Sequence, residues 1–197
     1  MGKLPLPLLA LAMLFVACGG DARSDKEEEI VAAIDYALVS TAPDACTEAS
    51  TQALHEQLFR HAGPGAVKSC EQNARAEESP NDPVEVTDVE VDGSRATAEI
   101  GLTDDGDATG QVFAAALVEE GGSWKLDELT GFAEFDQRRW VEEQKESLEA
   151  PYNAVEPRVV DCIVEAYREM SQAEIEEMVL GGSAQPELEI GESCERG

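Results

Sequence analysis

Hydrophobic and polar positions divide the chain into a helical block, a strand block and a second helical block. Apolar side chains recur with a 3.6-residue period in residues 26–40, and shorter stripes of the same period lie in residues 51–62 and 66–76. This periodicity predicts amphipathic helices that bury one face. Residues 84–126 instead alternate between apolar and polar side chains, as strands do. From residue 135 onward the period is helical again.

Short turns separate the strands of the central block. Asp92-Gly93 and Gly121-Gly122 are typical of β-hairpins, because glycine accepts the positive φ that tight hairpin turns require. Four strands joined by such turns predict an antiparallel meander. Residues 111–118 are apolar on both faces, which favours a central strand that needs cover on both sides. The C-terminal helices or a second copy of the chain would supply that cover.

The first predicted strand changes phase along its length. Residues 84–86 place valine at alternate positions, and residues 89–91 do so again in the opposite phase. A phase change inside one strand indicates a β-bulge or a strong bend.

The C-terminal third predicts further helices and an irregular tail. Residues 135–150 are acidic and only weakly amphipathic, whereas residues 159–167 carry a clean apolar stripe. Ser171 and Glu174 have the spacing of a capping box, which marks the start of another helix. Residues 185–197 lack periodicity, so we expect a tail without regular structure.

The N-terminus has the pattern of a targeting segment. Lys3 precedes an apolar run over residues 6–16 that is shorter than the roughly 20 residues of a membrane-spanning helix. The run ends in FVAC at residues 15–18, which resembles the lipobox of bacterial lipoproteins. The resemblance implies that residues 1–17 are a signal peptide, that Cys18 becomes a diacylated N-terminus, and that residues 18–26 are its tether. The expected location is the extracytoplasmic face of the cell membrane, with the membrane bound through the lipid on Cys18.

The four remaining cysteines agree with export. An even number of cysteines in an exported chain indicates disulfides, and four cysteines allow three connectivities. We favour Cys46–Cys70 and Cys162–Cys194, since each pair closes one local helical unit. The alternative is a metal site or a redox pair, but the sequence has no Cys-x-x-Cys motif and neither histidine has chelating spacing to a cysteine. We therefore expect no metal.

Composition excludes several classes of function. The chain has 42 acidic and 14 basic residues, for a formal net charge of −28. Recognition of nucleic acid or of anionic lipid needs clustered Lys and Arg, so neither is an expected partner. The acidic clusters are most simply solvated faces, with a basic partner as the alternative.

Three short motifs carry a resemblance to a second family: PDAC at residues 43–46, VDGSRA at residues 91–96 and GSWKL at residues 122–126. In this order they resemble exported members of the nuclear transport factor 2-like superfamily. The resemblance implies an α+β fold over residues 27–131, with N-terminal helices packed on a curved four-stranded antiparallel meander that forms a cone. Residues 132–197 would be a helical extension outside the family core.

Candidate chemistry is sparse. Enzymes of this superfamily line the cone with ionisable residues. The one weak pocket candidate here is His61, on the predicted apolar stripe of residues 51–62. A role in capping the end of the helix is the simpler interpretation of His61. The acidic turn at residues 104–108 lacks the pattern of an EF-hand calcium loop. We find no catalytic set and no cofactor motif, and the sequence favours a non-enzymatic module for an unknown protein or small-molecule ligand. The alternatives are an isomerase or cyclase with a pocket in the cone, and an acidic spacer. A homodimer through the sheet stays open.

Overall fold

A computed structural model describes residues 24–77, 80–102, 110–150, 155–181 and 185–196 of the chain. These residues form eight helices and one four-stranded antiparallel sheet. The helices are α1 (Asp25–Val39), α2 (Ala45–Glu48), α3 (Gln52–Phe59), α4 (Pro64–Ala76), α5 (Gln137–Glu149), α6 (Pro157–Glu169), α7 (Gln172–Leu180) and α8 (Gln185–Arg196). The strands are β1 (Glu85–Asp92), β2 (Arg95–Gly101), β3 (Val112–Glu120) and β4 (Ser123–Glu134). The predicted α+β class, with a meander and a C-terminal helical extension, is confirmed.

The sheet follows the chain in the order β1-β2-β3-β4. Gly121 and Gly122 form the β3–β4 turn with φ of +64° and +86°, and positive φ at both central residues is the requirement of a type I′ hairpin. The predicted bulge lies in β1, where the pairing with β2 shifts between Thr87 and Glu90. Asp88 occupies the bulge with φ of +46°, a conformation that Asp tolerates better than most residues.

One face of the sheet, the inner face, carries the buried side chains. Ile30 and Ile34 of α1 pack against it and are completely buried, together with Leu54 of α3. The strand residues of this cluster are Val86, Ala96, Ala98, Ile100, Ala115, Leu117, Trp124 and Leu126. A capping box starts α1, since Ser24 accepts from the N–H of Glu27 and Glu27 accepts from that of Ser24.

The C-terminal helices extend the core from the far end of the same face. Phe113 and Phe132 face each other across β3 and β4 with ring centroids 4.8 Å apart. The aromatic contacts then continue through Phe135 to Trp140 of α5, and Trp140 lies 5.1 Å from Tyr167 of α6. The described residues from 132 onward therefore share a hydrophobic core with the sheet, and β4 itself ends at Glu134.

The free edge of β4 is covered by neighbouring segments. Leu126 exchanges backbone hydrogen bonds with the segment before α3, donating to Ala49 at 2.8 Å and accepting from Thr51 at 3.0 Å. Further along, the Glu176 carboxylate of α7 accepts from the N–H of Phe132 at 3.0 Å. Covering an edge strand satisfies its outward backbone groups and prevents edge-to-edge association.

Two predictions about the helices need correction. The tail expected to be irregular is helix α8, which Cys194 links to α6 and which buries Ile190 partly against the C-terminal core. The helix is amphipathic, but too few apolar residues carry its period for the sequence to reveal it. Helix α3 ends at Phe59 rather than residue 62, because Arg60 adopts the left-handed conformation with φ of +54°. The predicted turn at residues 104–108 lies outside the described residues.

Candidate functional site

The predicted lipidation site, Cys18, and the leader lie outside the described residues. Among the helices that the structure describes, none combines the length and the apolar character needed to cross a bilayer.

His61, the weak pocket candidate, lies at the junction of α3 and α4. Because α3 ends before it, His61 does not continue the stripe of Leu54; it is exposed, and its Nε2 lies 3.1 Å from the Ser69 hydroxyl of α4. This contact joins two neighbouring helices at the surface. The structure does not bring His61 to the inner face of the sheet.

Both favoured disulfides are present. Cys46 of α2 is bonded to Cys70 of α4, and Cys162 of α6 is bonded to Cys194 of α8. Each therefore ties two helices that are close in sequence. The first holds the N-terminal helices together, and the second fixes the last helix to the C-terminal core.

His55, which has no chelating spacing to a cysteine in the sequence, is buried. It lies in α3 with 2% of its surface exposed, and its Nε2 lies 2.7 Å from the Cys46 carbonyl oxygen. Burial lowers the pKa of the His55 imidazole, while the hydrogen bond to Cys46 acts in the opposite direction. A ring nitrogen of His55 and the sulfur atoms of Cys46 and Cys70 all lie within 4.8 Å of one another. Spacing along the chain gave no sign of this, because the proximity arises where α2, α3 and α4 converge.

A cleft lies between α1, the end of α2 and the start of β4. Its volume is about 500 Å³, and its lining includes Tyr36, Glu48 and Trp124. The Tyr36 hydroxyl donates a hydrogen bond of 2.8 Å to the Asp44 carboxylate, and this bond, with some desolvation, raises the pKa of Tyr36. Tyr36 therefore stays protonated and links α1 to the segment that starts α2.

A second surface, here named the outer groove, runs along the face of the sheet opposite α1. It consists of two adjoining hollows of about 450 and 290 Å³ that share Glu90 and Thr97. Its floor is formed by the outward side chains of β3, Ala114, Ala116 and Val118, which are half-buried. In the described part of the chain, α1 and α3 pack on the inner face and α7 on the β4 edge, so these helices do not cover the floor. The sequence predicted the apolar strip and expected the C-terminal helices or a second copy to cover it; α7 does not supply that cover.

The walls of the outer groove are acidic. Six carboxylate residues and one arginine, Arg95, line the two hollows; the acids are Asp88, Glu90, Asp92, Glu99, Asp127 and Glu128. Desolvation and the nearby Asp88 carboxylate raise the pKa of Glu99, with a smaller effect from Glu134. Like charges are therefore crowded on this face, and a cation placed there would relieve their repulsion.

No family model matches the sequence, and no curated protein or solved structure matches it significantly. The outer groove and the His55 cluster therefore have to be interpreted from their own geometry.

Proposed function

We propose that this chain is a lipid-anchored lipoprotein of the extracytoplasmic face of the membrane, and that it is a non-enzymatic interaction module whose outer groove binds a basic segment of a partner protein. One observation carries the second half of the proposal: in the part of the chain that the structure describes, a strip of small apolar side chains lies uncovered between carboxylates. The N-terminal run and FVAC at residues 15–18 support the first half. The likeness to the nuclear transport factor 2-like fold stays a proposal, supported by the motifs that suggested it.

The chemistry of the outer groove suits Lys and Arg side chains. Their aliphatic stems lie well on small apolar surfaces such as Ala114 and Ala116, while their charged heads reach outward. Glu90 and Glu128, which flank this floor, would then accept the charge. The net charge of −28 would also accelerate encounter with a basic partner at low ionic strength.

A second copy of the chain fits this surface less well. Two outer grooves placed face to face would bring like-charged walls together, which raises the electrostatic free energy of the pair. A basic segment lowers that energy instead. We therefore place the partner among basic proteins.

Binding of a Lys- and Arg-containing peptide probe, measured by calorimetry, tests the groove. Reversing the charge of two wall residues with Glu90→Lys and Glu128→Lys should weaken peptide binding roughly tenfold or more, which corresponds to about 1.4 kcal/mol. The matched control is Glu146→Lys with Glu169→Lys, which makes the same charge change on exposed positions of α5 and α6. Equal losses of affinity in both variants would show that net charge alone attracts the peptide, and would overturn the proposal that the outer groove is the binding site.

The anchor is tested separately, by intact mass measurement of the protein extracted from membranes of an expressing bacterium. We expect a chain that begins at Cys18 and carries a diacylglyceryl group, since two acyl chains are what stable anchoring needs. Cys18→Ser should abolish the modification and release the protein from the membrane. A wild-type chain that retains residues 1–17 or lacks lipid contradicts the proposal.

A further inference from the structure

The Cys46–Cys70 disulfide has a buried histidine, His55, beside it, and the described residues supply a partner for only one of its two ring nitrogens. Nε2 of His55 lies 2.7 Å from the Cys46 carbonyl oxygen. A carbonyl oxygen only accepts hydrogen bonds, so Nε2 carries the ring proton and Nδ1 presents its lone pair. Nδ1 is buried and has no hydrogen-bond partner among the described residues. Buried polar atoms are nearly always satisfied, and an exception requires an explanation.

The surroundings of the His55 ring are those of a soft-metal site. A ring nitrogen of His55 and the Sγ atoms of Cys46 and Cys70 lie within 4.8 Å of one another. The three donors come from α3, α2 and α4, so the fold of the N-terminal helices holds them together. The hydrogen bond from Nε2–H to a backbone carbonyl is also the outer contact that metal-binding histidines usually make.

We propose that Cys46, Cys70 and His55 form a zinc site when the Cys46–Cys70 disulfide is reduced. A dithiol reductant supplies two electrons and two protons: the S–S bond breaks, two thiols form, and the reductant becomes its own disulfide. Zn²⁺ then displaces the two thiol protons and binds two thiolates and one neutral imidazole. The inference does not depend on the proposed function, since the site is on the N-terminal helices and not in the outer groove.

The donor set selects the metal. Thiolate and imidazole suit zinc and copper, whereas magnesium and calcium need oxygen ligands. Two thiolates and a neutral imidazole balance the charge of Zn²⁺, which matters because Cys46 and His55 are buried. Cys70 is half-buried, so water has access to the fourth, tetrahedral position.

The test uses the full chain with Cys18→Ser, so that no fifth thiol competes. After reduction by excess dithiol under anaerobic conditions, zinc content and the thiolate charge-transfer absorption of added Co²⁺ report the site. We expect one metal ion per reduced chain and none in the oxidised chain. The ion should persist in Cys162→Ser/Cys194→Ser and be lost in Cys46→Ser/Cys70→Ser.

The role of the histidine has its own control. His55→Gln should weaken zinc binding by more than the roughly 10- to 100-fold that loss of an outer contact costs, and His61→Gln should leave it unchanged. If the reduced chain loses helical circular dichroism, zinc should restore it in wild type and not in Cys46→Ser/Cys70→Ser. The proposal is overturned if the reduced chain neither binds zinc nor refolds with it, or if His55→Gln binds zinc as wild type does.

Discussion

The side-chain amide of Gln57 pairs with the backbone of Leu129 as a neighbouring strand would. Its Oε1 accepts from the Leu129 N–H at 2.9 Å, and its Nε2 donates to the Leu129 carbonyl at 2.8 Å. Leu129 lies in β4, whose outward backbone groups form the edge of the sheet. The same Nε2 also donates to the carbonyl of Leu180, at the end of α7, at 3.0 Å. One side chain of α3 therefore connects the sheet edge to the C-terminal helices.

Replacing this side chain should destabilise the fold measurably. Gln57→Ala removes three hydrogen bonds and leaves partly buried backbone groups unsatisfied, so we expect a loss of about 1–3 kcal/mol in the free energy of unfolding. Urea denaturation followed by circular dichroism measures it. Gln52→Ala, an exposed position in the same helix, should change stability by no more than about 0.5 kcal/mol. Equal effects in the two variants would show that water replaces the Gln57 contacts.

The elements with strong local signals are the ones that the sequence predicts well. The change in valine alternation between residues 84–86 and 89–91 predicts the β1 bulge, which the structure places at Asp88. The spacing of Ser171 and Glu174 predicts the capping box of α7. Gly121-Gly122 gives the last hairpin of the sheet. In each case a few adjacent residues determine the local conformation, so one sequence is enough.

The elements that depend on tertiary contact are the ones that the sequence misses. Helix α8 has few apolar residues, and its position depends on the disulfide of Cys194 and the partial burial of Ile190. The proximity of His55 to Cys46 and Cys70 arises because α2, α3 and α4 converge. Neither relationship leaves a pattern over adjacent residues. The sequence could not decide for the same reason whether the C-terminal helices cover the floor of the outer groove, since cover depends on where the helices pack.

The two hydrophobic clusters should unfold together, and the chain provides one reporter for each. Trp124 belongs to the cluster under α1, Trp140 belongs to the C-terminal cluster, and these are the only two tryptophans among 197 residues. Strand β3 joins the clusters, because Leu117 lies in one and Phe113 in the other.

We therefore expect Trp124→Phe and Trp140→Phe to retain one fluorophore each and to show fluorescence transitions that coincide with their own circular dichroism transitions in urea. Coincident transitions are the signature of two-state unfolding. A Trp140 signal that changes at lower urea than the circular dichroism of the same variant would mean that the C-terminal helices detach first.

Removing the second disulfide should release α8. Leu188 is 59% exposed and Ile190 is only partly buried, so packing alone holds this helix weakly. In Cys162→Ser/Cys194→Ser we expect amide exchange in α8 to accelerate strongly, while α1 stays protected. The loop closed by this disulfide, with a sequence separation of 32 residues, has a chain-entropy contribution of about 3.5 kcal/mol as an upper guide.

The matched control for that experiment is Cys46→Ser/Cys70→Ser, which opens the other disulfide. Protection in α8 should persist there, because its link to α6 is intact. If amide exchange in α8 is unchanged in Cys162→Ser/Cys194→Ser, side-chain packing suffices to hold the helix.

The raised pKa of Glu99 predicts how the stability of the folded protein changes with pH. Desolvation, followed by the neighbouring Asp88 carboxylate, disfavours the charged form of Glu99 in the folded protein. The folded state therefore binds more protons than the unfolded state in the window between the unfolded pKa, about 4.3 for Glu, and the raised folded pKa. Stability contributed by this group consequently falls as pH rises through that window.

Glu99→Gln removes this dependence, because the amide is neutral at every pH. We expect the variant to have a higher melting temperature than wild type at pH 7.5 and a smaller advantage as the pH falls through that window, because protonation then removes the charge of Glu99 in wild type as well. Glu146→Gln, an exposed position on α5, makes the same change in net charge away from Asp88 and separates the local effect from general repulsion. Because Glu99 is a surface residue, the effect should shrink at high salt. If Glu99→Gln and Glu146→Gln have the same melting temperature at pH 7.5, carboxylates are not crowded in the outer groove. The same conclusion follows if the advantage of Glu99→Gln over Glu146→Gln grows as the pH is lowered.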